Sequence, residues 1–192
     1  MSTRGTFRGL VVLFMTALTA MGTSLPSQAA TILIDQDDER GDVTINNRVP
    51  GLTVRQRRSI DIHHVTVTEL DRAVRFSITI KKITTSKRFD QALYFGFKPR
   101  TGDYPYGSIG VSPQSPRSAY ASVVRKHDAE NCHRLAVKVL RDEALVSVKV
   151  PVRCLPAGEV HVTAYSHTGE LEGDGRLWSK DRLRVQGLTV LR

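Results

Sequence analysis

Within Ala73–Ile83 apolar and polar side chains alternate from Val74 to Lys81. Val74, Phe76, Ile78 and Ile80 fall on one side, and Arg75, Ser77, Thr79 and Lys81 on the other. A period of two belongs to a β-strand, and one apolar face with one polar face belongs to an antiparallel sheet wetted on one side. Ile60 to Thr68 is rich in β-branched residues, and Glu69–Arg72 supplies a short polar turn before Ala73. The two segments read as a hairpin.

The same pattern returns at even spacing along the chain, and helical periodicity is nearly absent. Strands are expected at Thr31–Ile34, Ala92–Lys98, Ser108–Val111, Tyr120–Lys126, Cys132–Leu140, Leu145–Val152, Glu159–Ser166 and Leu183–Leu191. Turn-forming stretches separate them, among them Pro99–Asp103, Ser112–Arg117, Leu155–Gly158 and a long expected loop from Thr168 to Lys180. Many short strands between turns predict an all-β fold, an antiparallel β-sandwich of jelly-roll or Ig-like type.

The first 29 residues do not belong to that domain. Arg4 and Arg8 precede an apolar run from Leu10 to Met21, and Ser27-Gln28-Ala29 offers a small-x-small cleavage site. These are the three parts of a secretion signal, and the run is too short to span a bilayer, which takes about 20 residues. The reading is a signal peptide over 1–29, one domain over 30–192, and no membrane span after cleavage. Export places the protein outside the cell or at the cell envelope. Loss of Arg4 and Arg8 lowers the formal charge from +9 by two, to +7, and all three methionines leave with the signal.

Both cysteines, Cys132 and Cys154, lie in the domain. An even count in an exported chain favours a disulfide, whereas a zinc site needs closer spacing than this. Val137 and Val139 alternate on one expected strand and Val146, Val148 and Val150 on the next, with Arg141-Asp142-Glu143 as the turn. The cysteines sit symmetrically about Glu143, so the bridge is expected to clamp the mouth of that hairpin.

Few residues advertise chemistry. Asp35, Asp37, Asp38, Glu39 and Asp42 surround Gly41, and carboxylates around a glycine turn can give oxygen ligands to calcium. Asp42, Asp61 and Asp181 are the candidate metal residues, with Asp174 as a further contributor; a solvated acidic loop is the alternative reading. Arg40-Gly41-Asp42 spells an adhesion tripeptide, but the glycine turn accounts for it. The six histidines lack the i, i+4 spacing of a zinc hydrolase, and no serine stands in a nucleophile-elbow context. No catalytic residue is assigned, and no cofactor beyond the calcium candidate. Tyr104, Tyr106 and Trp178, in expected loops or strand ends, are the aromatics placed to meet a ligand; the competing reading has Trp178 plugging the end of the core. Basic residues are spread along the chain rather than blocked. They suit a polyanionic polymer, while no recognition helix or stacking motif supports nucleic acid as a partner.

Taken together, the acidic turn with Gly41-Asp42, Asp61-Ile62 opening a strand pair with alternating valines, and the hairpin ending Val150-Pro151-Val152-Arg153-Cys154-Leu155 resemble a group of small secreted proteins of actinobacteria. Their strand pattern is similar to the DOMON and family-nine carbohydrate-binding-module sandwiches. The resemblance implies a sandwich that binds sugar or haem and catalyses nothing. Haem held between Met and His, usual for DOMON domains, has no methionine to use in the domain. The expected function is therefore a secreted non-catalytic binding module for carbohydrate or a cell-envelope polymer. A structural or protein-interaction domain at the envelope is the alternative, and a carboxylate-dependent hydrolase the third reading.

Overall fold

The computed structural model describes residues 30–46, 51–86, 88–169, 177–187 and 189–191. The signal segment and Asp174 lie outside them. Among the described residues thirteen strands run in order β1 Thr31–Asp37, β2 Thr44–Ile45, β3 Ile62–Glu69, β4 Ala73–Ile80, β5 Asp90–Pro99, β6 Tyr106–Val111, β7 Tyr120–Arg125, β8 Asp128–His133, β9 Ala136–Leu140, β10 Leu145–Pro151, β11 Gly158–Gly169, β12 Leu177–Arg184 and β13 Thr189–Leu191. They form two antiparallel sheets. The smaller has the order β1-β3-β4-β10-β9; the larger runs β2-β12-β11-β5-β6-β7-β8, with β13 added beside β11.

The sheets pack through the apolar faces that the alternation marks out. Phe76 of β4 meets Phe95 and Phe97 of β5, with ring centroids 5.0 and 5.5 Å apart. Val65, Val67, Ile78, Leu93, Ile109, Val148 and Val162 fill the space around them, all buried. Burying each such side chain contributes about 2 kcal/mol. The fold is the expected all-β antiparallel sandwich with one disulfide.

The disulfide is present but clamps something other than the expected hairpin. Cys132–Leu140 is not one strand. It breaks at Arg134, whose φ is 58°, so Cys132 ends β8 in the larger sheet while Ala136 opens β9 in the smaller one. Cys154 lies in a single 3₁₀ turn after β10. The bond, with Cα atoms 6.0 Å apart, therefore joins the two sheets. The inward side shifts by one residue at the break, from Cys132 on β8 to Val137 and Val139 on β9, as the chain changes sheets.

A second correction concerns Thr168–Lys180. β11 extends to Gly169 and β12 begins at Leu177, so both flanks of the expected loop are strand. Trp178 is thereby part of a strand and only 6% exposed, packed with Leu52 and Phe89 in a small cluster apart from the main core. The opening strand likewise runs to Asp37, and Asp35 and Asp37 become strand residues whose carboxylates hold His64 at 3.0 and 2.8 Å.

One short helix, α1, spans Val54–Arg57, started by a capping box between Thr53 and Gln56. With the 3₁₀ turn that follows it, α1 lies across one end of the sandwich. There Ser179 Oγ donates to the Arg57 carbonyl at 2.7 Å and Ser166 Oγ to the Ile60 carbonyl at 2.5 Å. Gln91, fully buried, donates through Nε2 to Ser59 Oγ at 2.9 Å and to the Lys82 carbonyl at 2.7 Å. These bonds satisfy the polar groups that the turn would otherwise strand inside.

Candidate functional site

Inward alternation on one face of a strand fixes what the other face shows. On β5, Leu93, Phe95 and Phe97 are core, so Tyr94, Gly96 and Lys98 face outward. On β11 the outward set is His161, Thr163, Tyr165 and His167; on β12 it is Lys180, Arg182 and Arg184. Register then places these side by side. Tyr165 stands opposite Tyr94 on one flank and Arg182 on the other, His161 opposite Lys98, His167 opposite Lys180, and Thr163 between Gly96 and Arg184.

Two open depressions lie on this outer face. The first, about 460 Å³, is walled by Asp42, Tyr94, Tyr165, His167, Lys180 and Arg182. The second, about 490 Å³, is walled by Lys98, Tyr106, His161, Tyr165, Arg182 and Arg184. Both volumes fall within the range of small-molecule and saccharide sites. They share Tyr165 and Arg182, so the pair forms the ridge between them. The Arg182 guanidinium carbon sits 5.2 Å from the centroid of the Tyr165 ring, a cation–π contact. Tyr94 is stacked on His167 with centroids 5.1 Å apart, and burial lowers the His167 pKa below the ordinary 6.5, which keeps that imidazole neutral at pH 7.

Glycine makes the second depression possible. A Cβ on Gly96 would come within 3.3 Å of Tyr165 Cε2, so any side chain there would occupy the floor and push the tyrosine aside. At the rim, Tyr104 and Tyr106 stand 45% and 44% exposed with their rings 5.6 Å apart. Both are where the sequence places ligand contacts, and Tyr106 reaches the second depression. Trp178 is not with them, and its burial in a strand is the plug reading rather than the contact reading.

The acidic residues gather at the far end of the first depression. Ligand atoms of Asp38, Asp42 and Asp181 lie within 4.8 Å of one another. Asp42 and Asp181 come together as expected; Asp61 does not join them, and Asp38 stands in its place. Both Asp61 oxygens accept the Gly41 N–H, at 3.0 and 3.1 Å, with Lys81 Nζ 4.0 Å away. That bond holds the Arg40-Gly41-Asp42 turn against β3.

Asp181 is 4% exposed. Its Oδ2 accepts the Ile62 N–H at 2.6 Å and its Oδ1 accepts the Arg182 N–H at 2.7 Å. Burial nevertheless lifts its pKa to about 6, assisted by the charges of Asp42 and Asp38 against those two hydrogen bonds. Asp38 is raised for the same first reason, and its Oδ2 is buried with no hydrogen-bond partner among the described residues. The three carboxylates can hold a divalent cation, but they supply fewer oxygens than the six to eight calcium takes. A shared proton answers the same repulsion. With Asp38 protonated, its hydroxyl becomes a donor among acceptor oxygens.

Comparisons with protein-family models, with curated proteins and with solved structures return no match. The outer-face depressions have no sequence motif: apart from Asp42 and Thr44, their walls come mostly from alternate residues of β5, β6, β11 and β12. Tyr106 is the member the sequence singled out as a ligand contact, and Asp42 and Asp181 are those it singled out as acids.

Proposed function

We propose that this protein is a secreted, non-catalytic binding domain for a glycan or cell-envelope polymer, and that it binds through the outer face of the larger sheet. The observation that carries the reading is the pair of depressions meeting at Tyr165 and Arg182. A ligand filling both must be extended, which suits a polymer better than a small metabolite. Tyrosines suit hydroxylated rings, because each offers an apolar body to the ring and a hydroxyl to its substituents. Thr163, Ser108 and Ser122, outward on neighbouring strands, add hydroxyls that can donate and accept.

Support for action outside the cytoplasm comes from the Cys132–Cys154 bond, since such bonds persist where no reducing pool acts, and from the three-part signal pattern of residues 1–29. Among the described residues, no helix is long and apolar enough to cross a membrane. The resemblance to carbohydrate-binding sandwiches agrees with the reading but does not fix the ligand.

The test is retention of the purified domain on insoluble polysaccharides and on purified cell wall. Retention that falls on replacing Tyr165 or Tyr94 with Ala, with the melting temperature held, is the expected result. A domain that no polymer retains, or whose retention ignores both tyrosines, rules the reading out.

A further inference from the structure

Resting on that reading, we infer that the polymer is an anionic polysaccharide, and that the depression over Gly96 is the subsite for its carboxylate or sulfate groups. Lys98, Arg182 and Arg184 carry three positive charges into its wall beside the His161 imidazole, while no acid lines it. All four side chains are exposed and free to turn toward a ligand.

Several cations elsewhere on the molecule are engaged. Arg100 pairs with Glu159 at 3.0 Å, Arg125 and Arg153 share Glu130, and Lys81 approaches Asp61. Lys98, Arg182 and Arg184 take part in no ion pair among the described residues, and Glu159, two residues before His161 on the same side of β11, is the acid held by Arg100. Grouped, unneutralised cations in a concavity raise the local potential and draw in an anion.

The charges are set out in two rows. Lys98 stands opposite His161 across the β5–β11 pair, and Arg184 stands opposite Thr163, one outward position along. Neighbouring strands are about 4.8 Å apart and successive outward residues about 7 Å apart. The cations are thus spaced on the scale of successive charged groups along a chain, rather than focused on one point as for a single phosphate. Between the rows, Gly96 leaves the backbone bare, so a ring can approach it, and Arg182 presents its planar fork, which matches a carboxylate or sulfate. Polysaccharide is favoured over nucleic acid because Tyr165 and Tyr94 are already in contact with Arg182 and His167 and Tyr106 lies against Tyr104, which leaves no row of separate free ring faces for successive bases.

The experiment measures binding of the full domain to polygalacturonate (carboxylate), dextran sulfate (sulfate), uncharged dextran and a single-stranded oligonucleotide. It is run on the unmodified protein, on Lys98→Glu with Arg184→Glu, and on Lys138→Glu. Lys138 is exposed on β9 of the opposite sheet and controls for a charge reversal outside the depression. The expected result is binding to the two acidic polysaccharides that weakens with salt, falls about tenfold or more in the double variant, and is unchanged by Lys138→Glu. A carboxylate-only or sulfate-only preference identifies which group the subsite takes. Equal binding of uncharged dextran overturns this inference and leaves the polymer-binding reading standing; no binding to any polymer overturns both. Preference for the oligonucleotide, or equal losses in the double variant and Lys138→Glu, overturns the inference as well. Matching melting temperatures verify that each variant is folded.

Discussion

Asp181, on the larger sheet, accepts the backbone N–H of Ile62, on the smaller sheet, at 2.6 Å. The two residues are 119 positions apart in sequence, and the bond ties the sheets together at the corner where β12 meets β3. The tie is made by a buried carboxylate beside two other acids, so its strength depends on protonation.

The folded state binds the Asp181 proton more tightly than the unfolded chain, because burial raises its pKa from 3.8 to about 6. The stability from this group is fullest below pH 4. It declines as pH rises through 6, by about 3 kcal/mol at most. His167 acts in the opposite direction: lowered by burial, it costs stability as pH falls below 6.5. Both act in the unmodified protein, as does the raised Asp38, and Asp181→Asn removes only the Asp181 effect. Denaturant melts at pH 5 and pH 7.5 should show the unmodified protein losing stability on the alkaline step relative to this variant. Parallel pH profiles would remove Asp181 as the titrating group.

Replacing Cys132 and Cys154 together with Ala should lower stability by about 3 kcal/mol, the entropy restored to an unfolded loop of this size. The sheets should still form, since their core does not depend on the bond. Unfolding midpoints with and without reductant measure the effect, and circular dichroism checks the strand content.

The chain has one tryptophan, and it is buried against Leu52 and Phe89. Its fluorescence should be blue-shifted in the native protein and poorly quenched by iodide. Trp178→Ala should cost about 3–5 kcal/mol through the cavity it leaves. A red-shifted, readily quenched spectrum would return Trp178 to the surface.

Arg182→Ala removes the cation that both depressions share while leaving an exposed strand position filled by a small residue. Polymer affinity should fall about tenfold or more, with stability changed by less than about 1 kcal/mol. Binding assays and melts on the same preparation separate the two effects. A loss of stability with affinity intact would make Arg182 a structural residue.

How much of this was legible in the sequence follows from what each signal encodes. Alternation states which side of a strand is apolar, and at Val74–Ile80 it located a strand and its buried face. It says nothing of which sheet the strand joins. Cys132–Leu140 therefore read as one strand although the chain crosses between sheets at Arg134, a residue type that rarely adopts positive φ. Trp178 follows a glycine- and acid-rich stretch and looked like loop, whereas its burial is set by Leu52 and Phe89, distant in sequence. Asp42 and Asp181 were legible as acids worth pairing. The exchange of Asp61 for Asp38 was not, because it turns on the Gly41 N–H that occupies Asp61. The proposed binding face left no local trace, since neighbours such as Tyr165 and Arg182 meet only through register.

The Cys132–Cys154 bond lies at the corner diagonally opposite the Asp181–Ile62 tie: β8 against the end of β10, rather than β12 against the start of β3. One corner answers to electrons and the other to protons. The first is closed only in an oxidising medium; at the second, a proton lessens the cost of burying Asp181.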